Sequence, residues 1–214
     1  MSFFITATDT GAGKTYVTAL LLRALRAEGC DAVGYKPVSC GDRDDAVTLV
    51  AAGGHAEPMD AVNPLWYSSA VAPYVAGLLE SRPLDPAGLL AGYRSLAARH
   101  EIVLVEGVGG WEVPLAPGYG VPDLAADLGL PVLLVVSNKL GALNHTILTV
   151  KAIQARGLAC AGLVFNNAAD ELDTAAITNK GVIEDLCGIP VLTDIIRGQE
   201  DIEVEGFLAL LGRG

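Results

Sequence analysis

The sequence is poor in basic residues, in aromatics and in long apolar runs. Lys and Arg number 14 against 25 Asp and Glu, a formal net charge of −11. A surface that follows nucleic-acid phosphates is basic, so this balance speaks against nucleic acid as a partner. It speaks equally against docking on an anionic membrane. A small polyphosphate stays open, because backbone amides, a lysine or two and a divalent cation can meet its charge locally. The four cysteines, Cys30, Cys40, Cys160 and Cys187, form no C-x-x-C pair. That spacing suits neither a zinc site nor a compact disulfide framework, and free thiols in a reducing compartment are expected. The first residues, MSFFITATDT, show no basic region and no long apolar stretch, so no signal peptide is expected. The longest apolar run, PVLLVV, falls far short of the roughly 18 residues that span a bilayer. A soluble, cytoplasmic protein is the expectation.

What the sequence has is apolar residues, 51% of 214, and 25 glycines. At roughly 100–200 residues per domain, one domain over 1–214 is expected. Short unbroken apolar runs recur at 3–7, 32–35, 102–106, 131–136, 161–166 and 190–194. Such runs read as parallel strands buried on both faces. Helical patterns lie between them at 14–28, 44–52, 85–99, 144–156 and about 175–187. The alternation predicts an α/β fold, a doubly wound and mostly parallel sheet flanked by helices. Residues 53–86, with five prolines, read as the least regular part, either a loop over a substrate or an ordinary surface excursion. Ligands of open α/β sheets bind beyond the carboxyl ends of the strands, so the residues after each strand matter most.

The first strand runs into Thr8-Asp9-Thr10-Gly11-Ala12-Gly13-Lys14-Thr15 and then a helix. This is the strand–loop–helix setting of a phosphate loop, with Thr8 at the first glycine position of G-x-x-x-x-G-K-[ST]. Gly11 and Gly13 free the backbone to turn its amides inward, and the helix start favours anions. Lys14 would reach the β- and γ-phosphates, and the Thr15 hydroxyl would ligate Mg²⁺. Lys36 ends the second strand on the same rim, either solvated or near transferred phosphate charge. Asp42, Asp44 and Asp45 precede a helix, either as caps or as a carboxylate facing the metal. Glu106 ends a buried strand, where an acid is costly without a role, and metal binding is the favoured reading. Asn138-Lys139 begins like the guanine-reading N-K-x-D, but Gly141 stands at the fourth position. Asn144 reads as a helix N-cap leaving amides 142–146 free for a carboxylate, or as a plain cap. His145 reads as structural. Asn166 and Asn167 could pair with a base edge or simply form a turn.

Taken together these pieces resemble the dethiobiotin synthetase family of P-loop NTPase-like enzymes. The matching stretches are TDTGAGKT (8–15), GYKPVSCG (34–41), DDAVTL (44–49), NP (63–64), LVEGVGGW (104–111), NKLGALNHT (138–146) and GLVFNN (162–167). The resemblance implies ATP-dependent carboxylation and ring closure of 7,8-diaminononanoate with CO₂, releasing ADP and phosphate. It implies Mg²⁺ on Thr15, Asp45 and Glu106, and ATP, or another nucleoside triphosphate, on Gly11, Ala12, Gly13, Lys14, Thr15, Tyr16 and Asn166. It places Lys14, Lys36 and Thr10 at the chemistry, and Lys36, Cys40, Gly109, Ala142, Leu143 and Asn144 at the substrate. It implies a homodimer in which the helix start at 142–144 binds the substrate carboxylate across the interface, and base contacts near 195–201. The chain departs from the family pattern at Gly11, where many members carry glutamate, and at Cys40, where serine or threonine is usual. It departs again over YSSAVAPY at 67–74.

Two other readings share the fold. A glutamine-fed amidoligase would need a further domain with a Cys-His signature. A switch or partitioning ATPase commonly carries an extra lysine early in the loop, and Thr8 to Ala12 contain none.

Overall fold

The computed structural model describes residues 2–169, 171 and 173–212. The chain runs β1 (Phe3–Ala7), α1 (Lys14–Ala27), β2 (Ala32–Tyr35), β3 (Val38–Cys40), α2 (Asp44–Ala52), α3 (Met59–Val62) and β4 (Leu65–Tyr67). It continues through α4 (Pro73–Leu79), α5 (Pro86–Ala97), β5 (Ile102–Glu106), β6 (Pro114–Ala116), β7 (Tyr119–Gly120) and α6 (Val121–Leu128). β8 (Val132–Ser137), α7 (Ala142–Ala155), β9 (Cys160–Asn167), α8 (Thr174–Cys187), β10 (Val191–Ile196) and α9 (Glu205–Leu210) complete it.

Six strands form one sheet in the order β10-β9-β8-β1-β5-β2, and every neighbouring pair is parallel. The expected runs lie on these strands, shifted by one or two residues toward the carboxyl end in β8 and β10. Side chains alternate across the sheet, as the two-residue period of a strand requires. Phe4, Val132, Leu134 and Val136 enter one layer with α5, α6, α7 and α8. Phe3, Ile5, Leu133 and Val135 enter the other, with α1, α2 and α9. Both layers are apolar, which is why the strands read as unbroken runs and not as alternating ones.

The chain passes from β1 outward to β2, back to β5, and then to the other side of β1 at β8. The crossover therefore falls at β1, between β5 and β8. Such a switch opens a crevice at the strands' carboxyl ends. Thr8 to Lys14, Gly107 to Gly110 and Asn138 to Gly141 all follow those ends, and Glu106 is the last residue of β5.

Residues 53–86 are more ordered than their composition predicts. β4 pairs in parallel with β3, in register Val38↔Leu65, Ser39↔Trp66 and Cys40↔Tyr67. Strands of three residues carry too few side chains to show a period, so both escaped the sequence reading. No helix among the described residues is long and apolar enough to cross a membrane.

Candidate active site

The loop between β1 and α1 turns on two glycines in the left-handed region, Gly11 at φ 75° and Gly13 at φ 89°. At Gly13 a Cβ would also stand 2.1 Å from Asn166 Nδ2, so both backbone and space demand glycine. Gly11 has open space around it and is constrained by backbone alone. Thr8 has no positive φ, and its N–H donates to Val135 O at 3.0 Å. Its hydroxyl accepts from Ser137 N–H at 3.3 Å. The first loop position thus continues the β1–β8 pairing and has no need of glycine.

Lys14 is buried and donates to Gly109 O at 2.6 Å. Burial first, then the nearby Lys36 charge, hold its pKa below the ordinary lysine value. An incoming polyphosphate would supply the anion that this cation lacks. Lys36 is 2% exposed and lies between two carboxylates, 2.7 Å from Asp45 Oδ2 and 2.7 Å from Glu106 Oε1. Its third contact is Gly107 O at 3.3 Å. Burial works against the Lys36 charge, but Glu106 and Asp45 outweigh it, and its pKa stands above the ordinary value. Burial likewise opposes the Asp45 charge, and Lys36 outweighs it, so that carboxyl lies below the usual range.

Thr15 Oγ1 lies 2.7 Å from Asp45 Oδ1 and 2.7 Å from Glu106 Oε1. One hydroxyl has one proton to donate, so the second oxygen approaches it without a hydrogen between them. Glu106 Oε2 is buried with no partner among the described residues. Three converging oxygens, one short of a proton, beside an orphaned carboxylate oxygen fit a hard divalent cation. Mg²⁺ commonly takes one or two carboxylates and completes its shell with water and phosphate oxygens. No group of three or more His, Cys, Asp or Glu side chains could hold a metal among the described residues, so this set depends on the threonine.

A cleft of about 410 Å³ is lined by Thr10, Gly11, Gly13, Lys14, Thr15, Tyr16, Lys36, Cys40, Asp45, Val108 and Gly109. A second, more apolar cleft of about 360 Å³ shares Thr10, Cys40, Val108 and Gly109 with it and adds Ala70, Val71, Ala72, Pro73 and Val113. Residues from four separate stretches of sequence therefore meet at one seam. Val108, Val113 and the residues 70–73 were not singled out individually by the sequence reading. For the last of these the signals were the proline-rich 53–86 segment and the YSSAVAPY stretch at 67–74.

Asn166 lies behind the loop, donating to Ala12 O at 2.9 Å. Tyr16 donates its hydroxyl to Gln199 O, bringing the 195–201 segment beside α1. Asn138 and Asn167 belong to a buried amide network: Asn138 Nδ2 donates to Asn167 Oδ1 at 2.7 Å, and Asn179 Nδ2 donates to Asn138 Oδ1 at 2.9 Å.

The expectation at residue 144 is corrected. The N-cap of α7 is Gly141, at φ 94°, and Asn144 is the third residue of the helix. Asparagine was read as the cap for its side chain, whereas the left-handed backbone at 141 selects glycine. Ala142 N–H donates to Lys139 O and His145 N–H to Gly141 O, leaving Leu143 and Asn144 amides without a backbone acceptor among the described residues. Neither Ala142, Leu143 nor Asn144 lines either cleft of its own chain.

The family described as "AAA domain" matches residues 1–199. The ATP-dependent dethiobiotin synthetase BioD of Akkermansia muciniphila is 49% identical over 210 residues, 98% of this chain and 99% of that protein. The chain belongs to the dethiobiotin synthetase family. The BioD of Anaeromyxobacter dehalogenans is another member, 45% identical over 204 residues, with 91% of this chain and 92% of that one covered. Membership makes the chain an ATP-dependent ligase. The fold is shared more widely. A ParA family ATPase from Chlorobium tepidum superposes with TM-score 0.58 at 14% identity, covering 99% of this chain and 89% of that one. MinD of Pyrococcus horikoshii gives 0.57 at 20% identity, covering 98% and 86%. These two likenesses are of fold alone.

Proposed function

We propose that the two joined clefts make dethiobiotin from 7,8-diaminononanoate, CO₂ and ATP. The observation that carries this is the seam itself. Thr10, Cys40, Val108 and Gly109 wall both a charged cleft built on the phosphate loop and an apolar cleft sized for an aliphatic chain. Family membership, at 49% identity over nearly the whole chain, supports the same reaction.

One amine takes up CO₂ as a carbamate and loses a proton. A carbamate oxygen attacks the γ-phosphorus, and ADP leaves. The second amine attacks the carbamate carbon, phosphate leaves with the attacking oxygen, and the ureido ring closes. Two anions must meet in this sequence, and Lys14 and Lys36 offset their repulsion. Lys14, short of a negative partner, suits the β- and γ-phosphates. Lys36 reaches the carbamate by giving up its longest contact, to Gly107 O. Thr10, at the seam, orients the reacting group. Gly11, Ala12 and Gly13 present amides to the phosphates, and Tyr16 and Asn166 border the nucleoside.

In this reading Thr15, Asp45 and Glu106 would hold Mg²⁺, which supplies charge neutralisation at the phosphate oxygens. The enzyme works in the cytoplasm as a single domain and as a homodimer. In that dimer Leu143 and Asn144 amides receive the substrate carboxylate from the partner's cleft, and Cys40 and Gly109 border the diamine.

The test is a mass-spectrometric product assay with diaminononanoate, bicarbonate, Mg²⁺ and ATP. Dethiobiotin with ADP is expected from the native protein, and none from Lys14→Ala. ATP hydrolysis without dethiobiotin from folded native protein would overturn the reading in favour of a switch ATPase on this fold.

A further inference from the structure

Ala70, Val71, Ala72 and Pro73 form one wall of the apolar cleft. β4 leads into that wall and α4 leads out of it. At the end of α4, Glu80 reaches back across the turn. Its Oε1 accepts from Ser69 N–H at 2.9 Å and from Ser68 Oγ at 3.1 Å. The backbone directly after Glu80 is unusual: Ser81 is one of only two non-glycine residues with positive φ among those described, at 50°. That left-handed residue ends α4 and lets the chain fold back, an arrangement that costs energy and persists only where surroundings fix it.

The same fold-back is secured beside Glu80. Arg82 Nη1 donates to Trp66 O at 3.0 Å, and Tyr67 Oη donates to Arg82 O at 2.8 Å. Those bonds anchor β4 and leave 68–72 as the span between. Glu80 is the side chain that holds that span. Gly41, at the end of β3, faces it closely: a Cβ there would come 3.1 Å from Ala70 Cβ. A shift at 69–70 is thus felt at Cys40 and Gly41, on the seam.

We propose that Glu80 is the positioning residue of the substrate wall, fixing Ala70–Pro73 against the aliphatic chain of the diamine. This deepens the proposed function and rests on it. Glu80 does not line the cleft and touches no reacting atom. Its removal should weaken diamine binding and leave ATP handling alone.

The experiment compares native protein, Glu80→Ala and Glu80→Gln. In Glu80→Ala the KM for diaminononanoate should rise about three- to tenfold, the size expected for losing hydrogen bonds to a carboxylate. The KM for ATP and kcat at saturating diamine should stay within about twofold. Glu80→Gln keeps an acceptor oxygen and should recover most of the loss. Amide hydrogen exchange runs in parallel, and Ser69 and Ala70 should exchange faster in Glu80→Ala than in Glu80→Gln. An unchanged diamine KM in Glu80→Ala, with native turnover intact, overturns this inference alone. Equal loss of kcat in both variants also overturns it, as the mark of general damage. Absence of dethiobiotin from the native protein overturns the proposed function itself, and the exchange data then still report whether Glu80 orders the wall.

Discussion

In the proposed function Lys36 serves stability and chemistry at once. It is 2% exposed, and its partner Glu106 is fully buried. Removing one member of a buried pair leaves an uncompensated charge, at a cost of about 3–5 kcal/mol. Lys36→Met should therefore destabilise the fold by about 3 kcal/mol as well as abolish turnover, measured by urea unfolding and the product assay. Lys36→Met with Glu106→Leu should be more stable than Lys36→Met alone and equally inactive. Equal destabilisation of the single and double variants would show that the pair is not the source of the cost. Lys14, Lys36 and Glu106 were all singled out in the sequence, the two lysines because each follows a strand that announces itself by its apolar run and Glu106 because it ends one. Their mutual geometry was not. Nothing in the spacing says that Lys36 lies between Asp45 and Glu106, since 70 residues separate Lys36 from Glu106.

At the scale of elements, α7 carries the boldest expectation. Its first turn presents Leu143 and Asn144 amides beyond β8, yet no residue of 142–144 lines either of the two joined clefts of the same chain. Free amides at a helix start attract anions. They can act in this reaction only if a second copy brings its substrate to them. Sedimentation equilibrium should give twice the chain mass of 22.1 kDa. A monomer at assay concentration, with full activity, would remove the cross-subunit carboxylate site. The six sheet strands were readable because burial on both faces gives each an unbroken apolar run. β3, β4, β6 and β7 were not, having two or three residues each. The N-terminus of α7 was misread because a glycine cap works through its backbone angle, which sequence does not display. The stretch 67–74 was noted in the sequence, but what holds it was not legible, for a related reason. It is held not by a local pattern but by Glu80, bonded to Ser68 and Ser69 from 11 or 12 residues away, and it lies close to Gly41.

The whole molecule joins a nucleotide-binding crevice, placed at β1 by topology, to an apolar cleft placed beside it by β3 and β4. The net charge of −11 fits the proposed reaction, in which the anions would meet two buried lysines and loop amides and not a basic surface. The fold is shared with the ParA and MinD structures, and in the proposed function the second cleft takes the diamine. In the proposed reaction phosphate moves to a carbamate held across that seam. Running the native enzyme on bicarbonate labelled with ¹⁸O, and weighing the released phosphate, tests this most directly. The account predicts phosphate carrying one label from the carbonate and formed in step with dethiobiotin. Unlabelled phosphate alongside labelled dethiobiotin would contradict it, because the γ-phosphate would then have gone to water.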